Sequence, residues 1–267
     1  MGLLGNAYSK AVSNSKHADR FVSARTPIGY PTGVDLFDYM NGKWVTVKGD
    51  KGYTSLGFDE GSYVMLVGRS GTSKTCFAIQ AGWNIVKDFD EGMLYIDDIE
   101  AATDEVRIKN ITRMSDEEFE EKVRHRNTGI TCESFYENIS MIYNSKMEIV
   151  KDHPEFLVHT GKKDMNGNEI ITLPPTVYIL DSIALLVPEN LSKEEEVSGQ
   201  MSTTSSAKMN AKVFRQIIPK LKKANIILIA INHLTTKIEM IGLLKMLIAE
   251  IISIQYYRFN DYRTVNN

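Results

Sequence analysis

The sequence predicts an α/β protein: a mostly parallel sheet with helices on both faces. Three observations lead there. Four short runs, Gly61–Val67, Met93–Ile96, Thr176–Leu180 and Asn225–Ile231, are continuously apolar rather than alternating, as strands covered on both faces read. Segments with helical character separate them, the alternation that builds a parallel sheet from crossovers. The first run leads directly into GRSGTSKT, residues Gly68–Thr75, just before a predicted helix. That is the pattern G-x-x-x-x-G-K-[ST] in its required context, with Ser73 in place of the second glycine.

Taken in order, the first 25 residues lack periodicity and read as a mobile arm or subunit-contact segment, with the N-terminal arm placed at residues 1–30. Thr26–Gly42 is a turn-rich lead-in, with Pro27, Gly29, Pro31 and Gly33 ahead of the amphipathic run Val34–Met40. Helices are expected over Lys74–Val86, within Ser115–Val123, near Glu133–Val150 and over Thr204–Lys223, the last kinked by Pro219. Phe156–Pro175 carries Asn166-Gly167 between two polar-apolar stretches and reads as an inserted β-hairpin with a type I′ turn. The core then spans 31–240, and 241–267 forms an atypical tail. In that tail Ile241, Leu244, Leu247, Ile248, Ile251 and Ile252 fall at helical spacing, so a helix is expected within Glu239–Tyr257.

Composition narrows the class. At 267 residues with 43% hydrophobic and 24% charged content, the chain reads as an ordinary globular protein. The N-terminus has no apolar signal-like stretch, and no apolar run approaches the ~18 residues of a membrane span. Cys76 and Cys132 lack metal-ligand spacing and read as reduced thiols, which favours a cytoplasmic compartment. The net charge of −3 is uneven: Val197–Ile238 holds seven cations and no acid, leaving −10 for the remainder. A basic island on an acidic body suits either a local polyanion contact or a solvated helix face.

The Gly68–Thr75 loop implies phosphate chemistry. Backbone N–H groups of such a loop point at phosphate oxygens, the following helix N-terminus adds partial positive charge, and Lys74 reaches the outer phosphates. Thr75 offers a hydroxyl to Mg²⁺. Serine at position 73 must accept the backbone angle glycine usually takes; if that angle is left-handed, it costs about 1 kcal/mol. Asp181 ends a buried strand, where a carboxylate holds the water shell of Mg²⁺. Asp98 and Glu100 follow another strand and suit either polarisation of an attacking water or, with Asp97, the N-terminus of a helix. Asn232-His233 ends the last core strand, as a phosphate-sensing pair or as a solvated strand end.

Several stretches resemble the RecA family of DNA recombinases, particularly its phage-encoded branch. They are PTGVDLFDYMNG (Pro31–Gly42), the phosphate loop, DIEAATD (Asp98–Asp104), NTGITCESF (Asn127–Phe135), YILDSIALLVPE (Tyr178–Glu189) and ILIAINHLTTKI (Ile227–Ile238). They run in family order over about residues 30–240. The resemblance implies a RecA-type P-loop ATPase core, with ATP and Mg²⁺ as cofactors. It places nucleotide contacts at Gly68, Arg69, Ser70, Gly71, Thr72, Ser73, Lys74, Thr75 and Cys76, the adenine near Asp104, and the metal at Thr75 and Asp181. It makes Glu100 the water-activating residue and His233 the γ-phosphate sensor, where the family usually has Gln. It also implies a first DNA loop at Ser198–Ser206, with Gly199, Gln200 and Met201 near the strand. In the helix beyond, Ala207, Ala211, Phe214, Ile218 and Leu221 share one face, and Lys208, Lys212 and Arg215 line another. The implied partners are single-stranded DNA, then homologous duplex DNA, and further copies of the chain in a filament or ring. The implied setting is the cytoplasm of a bacterial host. A hexameric helicase-type ATPase and a nucleotide-binding remnant without recombinase activity are the rival readings. After Ile238 no family stretch is recognisable, so the terminus is expected to be truncated, frame-altered or divergent.

Overall fold

The computed structural model describes residues 28–192, 201–234 and 254–255, with side chains left undescribed at 191–192, 201–208 and 254–255. The chain begins with β1 (Gly29–Tyr30), α1 (Asp35–Met40), β2 (Lys43–Val45), β3 (Tyr53–Ser55) and β4 (Phe58–Asp59). Then follow β5 (Tyr63–Gly68), α2 (Lys74–Val86), β6 (Met93–Asp98), α3 (Glu105–Thr112), α4 (Asp116–Lys122), β7 (Val123–Arg126) and α5 (Cys132–Asp152). The second half holds β8 (Val158–Lys163), β9 (Glu169–Thr172), β10 (Thr176–Asp181), α6 (Glu189–Ser192), α7 (Met201–Ala224), β11 (Ile226–His233) and β12 (Ile254–Gln255).

Five strands form a parallel sheet in the order β5-β11-β10-β6-β7, with β12 antiparallel on the outer edge of β5. α2 carries the chain from β5 to β6, past two strand positions, on one face of the sheet. α5 and α7 return it in the opposite direction on the other face. Parallel crossovers are right-handed, so connections running in opposite directions must lie on opposite faces. Each face has its own core. Ala78, Ile79, Trp83 and Val86 of α2 pack on Leu94, Ile96, Val177, Ile179, Ile229 and Ile231. Phe135 and Ile139 of α5, with Val213, Ile217 and Leu221 of α7, pack on Tyr178, Leu180, Ile226 and Leu228. Gly82 is what lets α2 lie this close: a Cβ there would stand 2.8 Å from Leu94 Cδ1.

The four expected strands and the helix Lys74–Val86 are present, each within two residues of expectation. Several readings need correction. The core begins earlier than residue 31, because Ile28 and Tyr30 are buried and β1 pairs with β4. A fifth parallel strand, β7, and the helix α3 went unread. The hairpin β8–β9 exists, but Asn166 does not take positive φ. Of the loop residues Gly167 alone does, at 90°, and Gly167 N donates to Asp164 O while Asp164 N donates to Asn168 O. That is a three-residue loop with glycine in the left-handed position, not the two-residue type I′ turn.

The expected DNA loop is also altered. Residues 201–206 are helical, being the first turns of α7, and 193–200 lie outside the described residues. On α7 the buried seam runs through Val213, Ile217 and Leu221, while Ala211 is exposed and Ile218 only half-buried. The apolar face is thus rotated from the expected Ala207, Ala211, Phe214, Ile218 and Leu221: of the four whose side chains are described, Leu221 is buried, Phe214 and Ile218 are half-buried and Ala211 is exposed. α7 continues through Pro219 to Ala224. Residues 1–27 and most of the tail lie outside the described residues; the two described tail residues are extended on β5, not helical.

Candidate functional site

The site sits at the carboxyl ends of the parallel strands, where open α/β sheets gather their functional groups. Register and the period of two decide which side chains meet. Leu94 and Ile96 of β6 face α2, so Asp98 faces α2 as well, while Asp97 points to the α5 side. Val177 and Ile179 do the same for Asp181, and Ile229 and Ile231 for His233. Across the ladders Asp98 is paired with Asp181, and His233 with Gly68. Three strands therefore deliver Asp98, Asp181 and His233 to one face, beside the loop that leaves β5.

The loop Arg69–Ser73 is exposed, with Gly68 buried behind it. Gly71 has φ 77° and Ser73 φ 61°. Serine at 73 thus does take the left-handed conformation, at about 1 kcal/mol relative to glycine. Thr72 Oγ1 donates to Arg69 O, and Lys74 Nζ donates to Gly68 O at 3.1 Å and Arg69 O at 2.8 Å, which holds the ammonium over the loop. Thr75, in the first turn of α2, donates its hydroxyl to Asp181 Oδ2 at 2.5 Å. Cys76 Sγ lies 3.9 Å from an Arg107 guanidinium nitrogen.

Asp181 is 3% exposed, and its Oδ1 has no hydrogen-bond partner; Asp98 is 1% exposed, and its Oδ1 is likewise unpartnered. Burial pushes the Asp181 carboxyl above its ordinary range, while the Thr75 hydroxyl pulls it down; Glu100 and Asp98 add to the upward push and His233 opposes it. Asp98 Oδ2 accepts from Thr103 N at 2.7 Å. His233 Nε2 stands 2.7 Å from Glu100 Oε1, an ion-pair distance whose alignment does not meet hydrogen-bond geometry. One ligand atom each of Glu100, Asp181 and His233 lies within 4.8 Å of the others. Asn232 Oδ1 accepts from His233 N, fixing the strand end.

The rest of the expected residues divide clearly. Asp97, Asp98 and Glu100 are not a helix N-terminus, because β6 runs through Asp98 and the next helix, α3, starts at Glu105. Asp104 caps that helix, accepting from Arg107 N, and its carboxylate is exposed. Asp97 is committed elsewhere: it takes a bidentate pair from Arg126, at 2.9 and 2.7 Å, and a hydrogen bond from Tyr178 Oη at 2.6 Å. Lys212 and Arg215 are exposed on α7. Met201 is helical, the Lys208 side chain is undescribed, and Gly199 and Gln200 lie outside the described residues. Sequence reasoning grouped Asp98 with Glu100 and did not separate it from Asp97, although MLYIDD carried the signal: at period two, two consecutive acids at a strand end must face opposite sides. The chain matches no family model and no curated protein. No helix among the described residues is long and apolar enough to cross a membrane.

Proposed function

We propose that the chain is an ATP-dependent DNA recombinase of the RecA family, which binds ATP with Mg²⁺ at Gly68–Cys76 and acts on single-stranded DNA. One observation carries the nucleotide half of this reading. The Thr75 hydroxyl of the G-x-x-x-x-x-K-T loop lies on the buried strand-end carboxylate Asp181, 106 residues away in sequence. Glu100 and His233 stand beside it.

The donor set fits a hard divalent cation. Two carboxylates at most 3% exposed, each with an unpartnered oxygen, are costly unless positive charge offsets them. Thr75 and Asp181 would hold Mg²⁺, which when bound neutralises charge on the phosphates. The chain's own groups do the remainder. Backbone N–H groups at the start of α2 bind phosphate oxygens, and Lys74 leaves its loop carbonyls for the outer phosphates. Glu100 accepts the proton of the attacking water, and His233 orients Glu100 from 2.7 Å.

The DNA half is supported by the resemblance together with the exposed cations of α7. Lys212 and Arg215 project from the helix that follows the expected DNA loop, inside a segment of charge +7. On this reading the chain assembles as a filament or ring with ATP between copies, then engages homologous duplex DNA. The test is an equilibrium titration with Mg·ATP. Wild type binds, and Lys74→Ala loses affinity by about tenfold or more, since it removes the loop's phosphate-directed ammonium. Unchanged affinity in Lys74→Ala overturns the nucleotide assignment. Turnover stimulated by single-stranded DNA separates an enzyme from a nucleotide-binding remnant, and strand exchange separates a recombinase from a helicase.

A further inference from the structure

We infer that Glu100, Asp181 and His233 form a binding site for a nitrogen-accepting divalent transition metal, of the Mn²⁺, Co²⁺ or Zn²⁺ class. It rests on the same strand-end geometry as the nucleotide reading but not on nucleotide binding itself. One donor atom from each residue lies within 4.8 Å of the other two, a spread that side-chain rotation closes to a coordination sphere. Three carboxylates, Asp98, Glu100 and Asp181, converge here with one imidazole and no lysine or arginine paired to any of them among the described residues.

The second observation is independent of that clustering. Asp181 is 3% exposed and its Oδ1 has no partner, even though Oδ2 is held by Thr75. Behind it, Asp98 is 1% exposed with a second unpartnered carboxylate oxygen. Buried carboxylate oxygens are normally satisfied, and two with a free oxygen beside a third carboxylate are groups that a bound cation would satisfy. The identity of the cation follows from the donors. Carboxylates alone suit Mg²⁺, which seldom takes nitrogen ligands. An imidazole at 24% exposure, with Nε2 turned to Glu100 and not engaged in a hydrogen bond, shifts the preference to metals that bind nitrogen. His233 is held for this by its backbone N–H bond to Asn232 Oδ1 and by its place in the ladder opposite Gly68.

The consequence is regulatory. A metal held by Glu100 and His233 takes the lone pairs that would otherwise accept the proton of water. It should therefore slow hydrolysis.

The experiment titrates the full, nucleotide-free chain with Mn²⁺ and reads free Mn²⁺ by electron paramagnetic resonance. Pulsed measurements then seek nitrogen coupling to bound metal. The expected result is one Mn²⁺ per chain with ¹⁴N coupling, and about tenfold or more weaker binding, without coupling, in His233→Gln. Asp181→Asn weakens binding as well. Lys74→Ala keeps the metal while losing ATP, so the two readings fail separately. Circular dichroism confirms that each variant is folded. No Mn²⁺ binding at millimolar metal, or equal binding in His233→Gln with no nitrogen coupling in wild type, overturns the inference.

Discussion

Lys146 offers a test of the fold that is independent of any ligand. It lies on α5, 6% exposed, with Nζ donating to Pro174 O at 2.7 Å and Ala224 O at 3.0 Å. It thereby ties α5 to the entry of β10 and to the end of α7. Burial lowers its pKa from 10.5 to about 7. The folded protein therefore binds fewer protons than the unfolded chain between about pH 7 and pH 10.5, so stability rises with pH across that window. Below that window the full penalty of burying this lysine is present. It amounts to about 5 kcal/mol, at about 1.4 kcal/mol for each pH unit between the folded and unfolded values. Integrating from pH 7 to pH 9 releases about 2 kcal/mol of it. Lys146→Met removes the titration but also strips the donor from two buried carbonyls, costing about 1–3 kcal/mol for each, independent of pH. The slope, not the level, is therefore diagnostic. Urea unfolding at pH 7, 8 and 9 should show wild type gaining about 2 kcal/mol relative to Lys146→Met. Parallel pH profiles in the two proteins would show that Lys146 is not desolvated as the structure has it.

Further outcomes follow from other groups. Glu100→Gln should leave Mg·ATP affinity intact and slow hydrolysis by about 10²-fold or more, measured as steady-state turnover. Asp97→Asn should lose about 3 kcal/mol of stability through the broken Arg126 pair, with ATP binding unchanged, since Asp97 faces away from the loop. Gly61→Ala places a Cβ 2.5 Å from Lys222 Cα at φ +60, so it should destabilise by about 2–4 kcal/mol and lower the thermal midpoint. Neutralising Lys212 and Arg215 together should flatten the log-salt dependence of single-strand binding by about 0.7 for each phosphate no longer neutralised. An unchanged slope would put the DNA path elsewhere.

The strands and α2 were legible because continuous apolar runs leave few alternatives, and the phosphate loop fixed where one of them ends. β7 was not: VRHR carries three cationic or titratable residues and one apolar side chain, and it is a strand because the edge beside β6 needs a partner. α3 was masked by a low apolar content, since only Ile108 and Thr112 of EVRIKNIT are buried. The rotation of α7's buried face has a similar cause. Ala and Ile residues occupy two overlapping helical stripes, and which one turns inward depends on Phe135, Tyr178 and Leu228 across the interface. At the site, the sequence put Asp181, Glu100 and His233 at strand ends. Their meeting depended on strand order, which no local pattern encodes. The assignment of Asp97 to Arg126 and Tyr178 belongs to the same class: it follows from β7 lying beside β6, and β7 itself was unread.

The position of β11 bears on how the chain is made. Among the described residues it is the last parallel strand to be synthesised, yet it lies between β5, the first, and β10. While the nascent chain is shorter than about residue 226, β5 has no parallel neighbour among the described strands, and β10 presents an open edge of unpaired N–H and C=O groups flanked by apolar side chains. The emerging polypeptide thus holds β5 apart from β10-β6-β7 until β11 is made to lie between them. At ribosomal speeds of about 5–20 residues per second, that exposure lasts for seconds, long enough for strand edges on neighbouring ribosomes to meet. Translation rate through α7 and chaperone occupancy at that stage should therefore govern the yield of native protein more than the equilibrium stability of the finished domain.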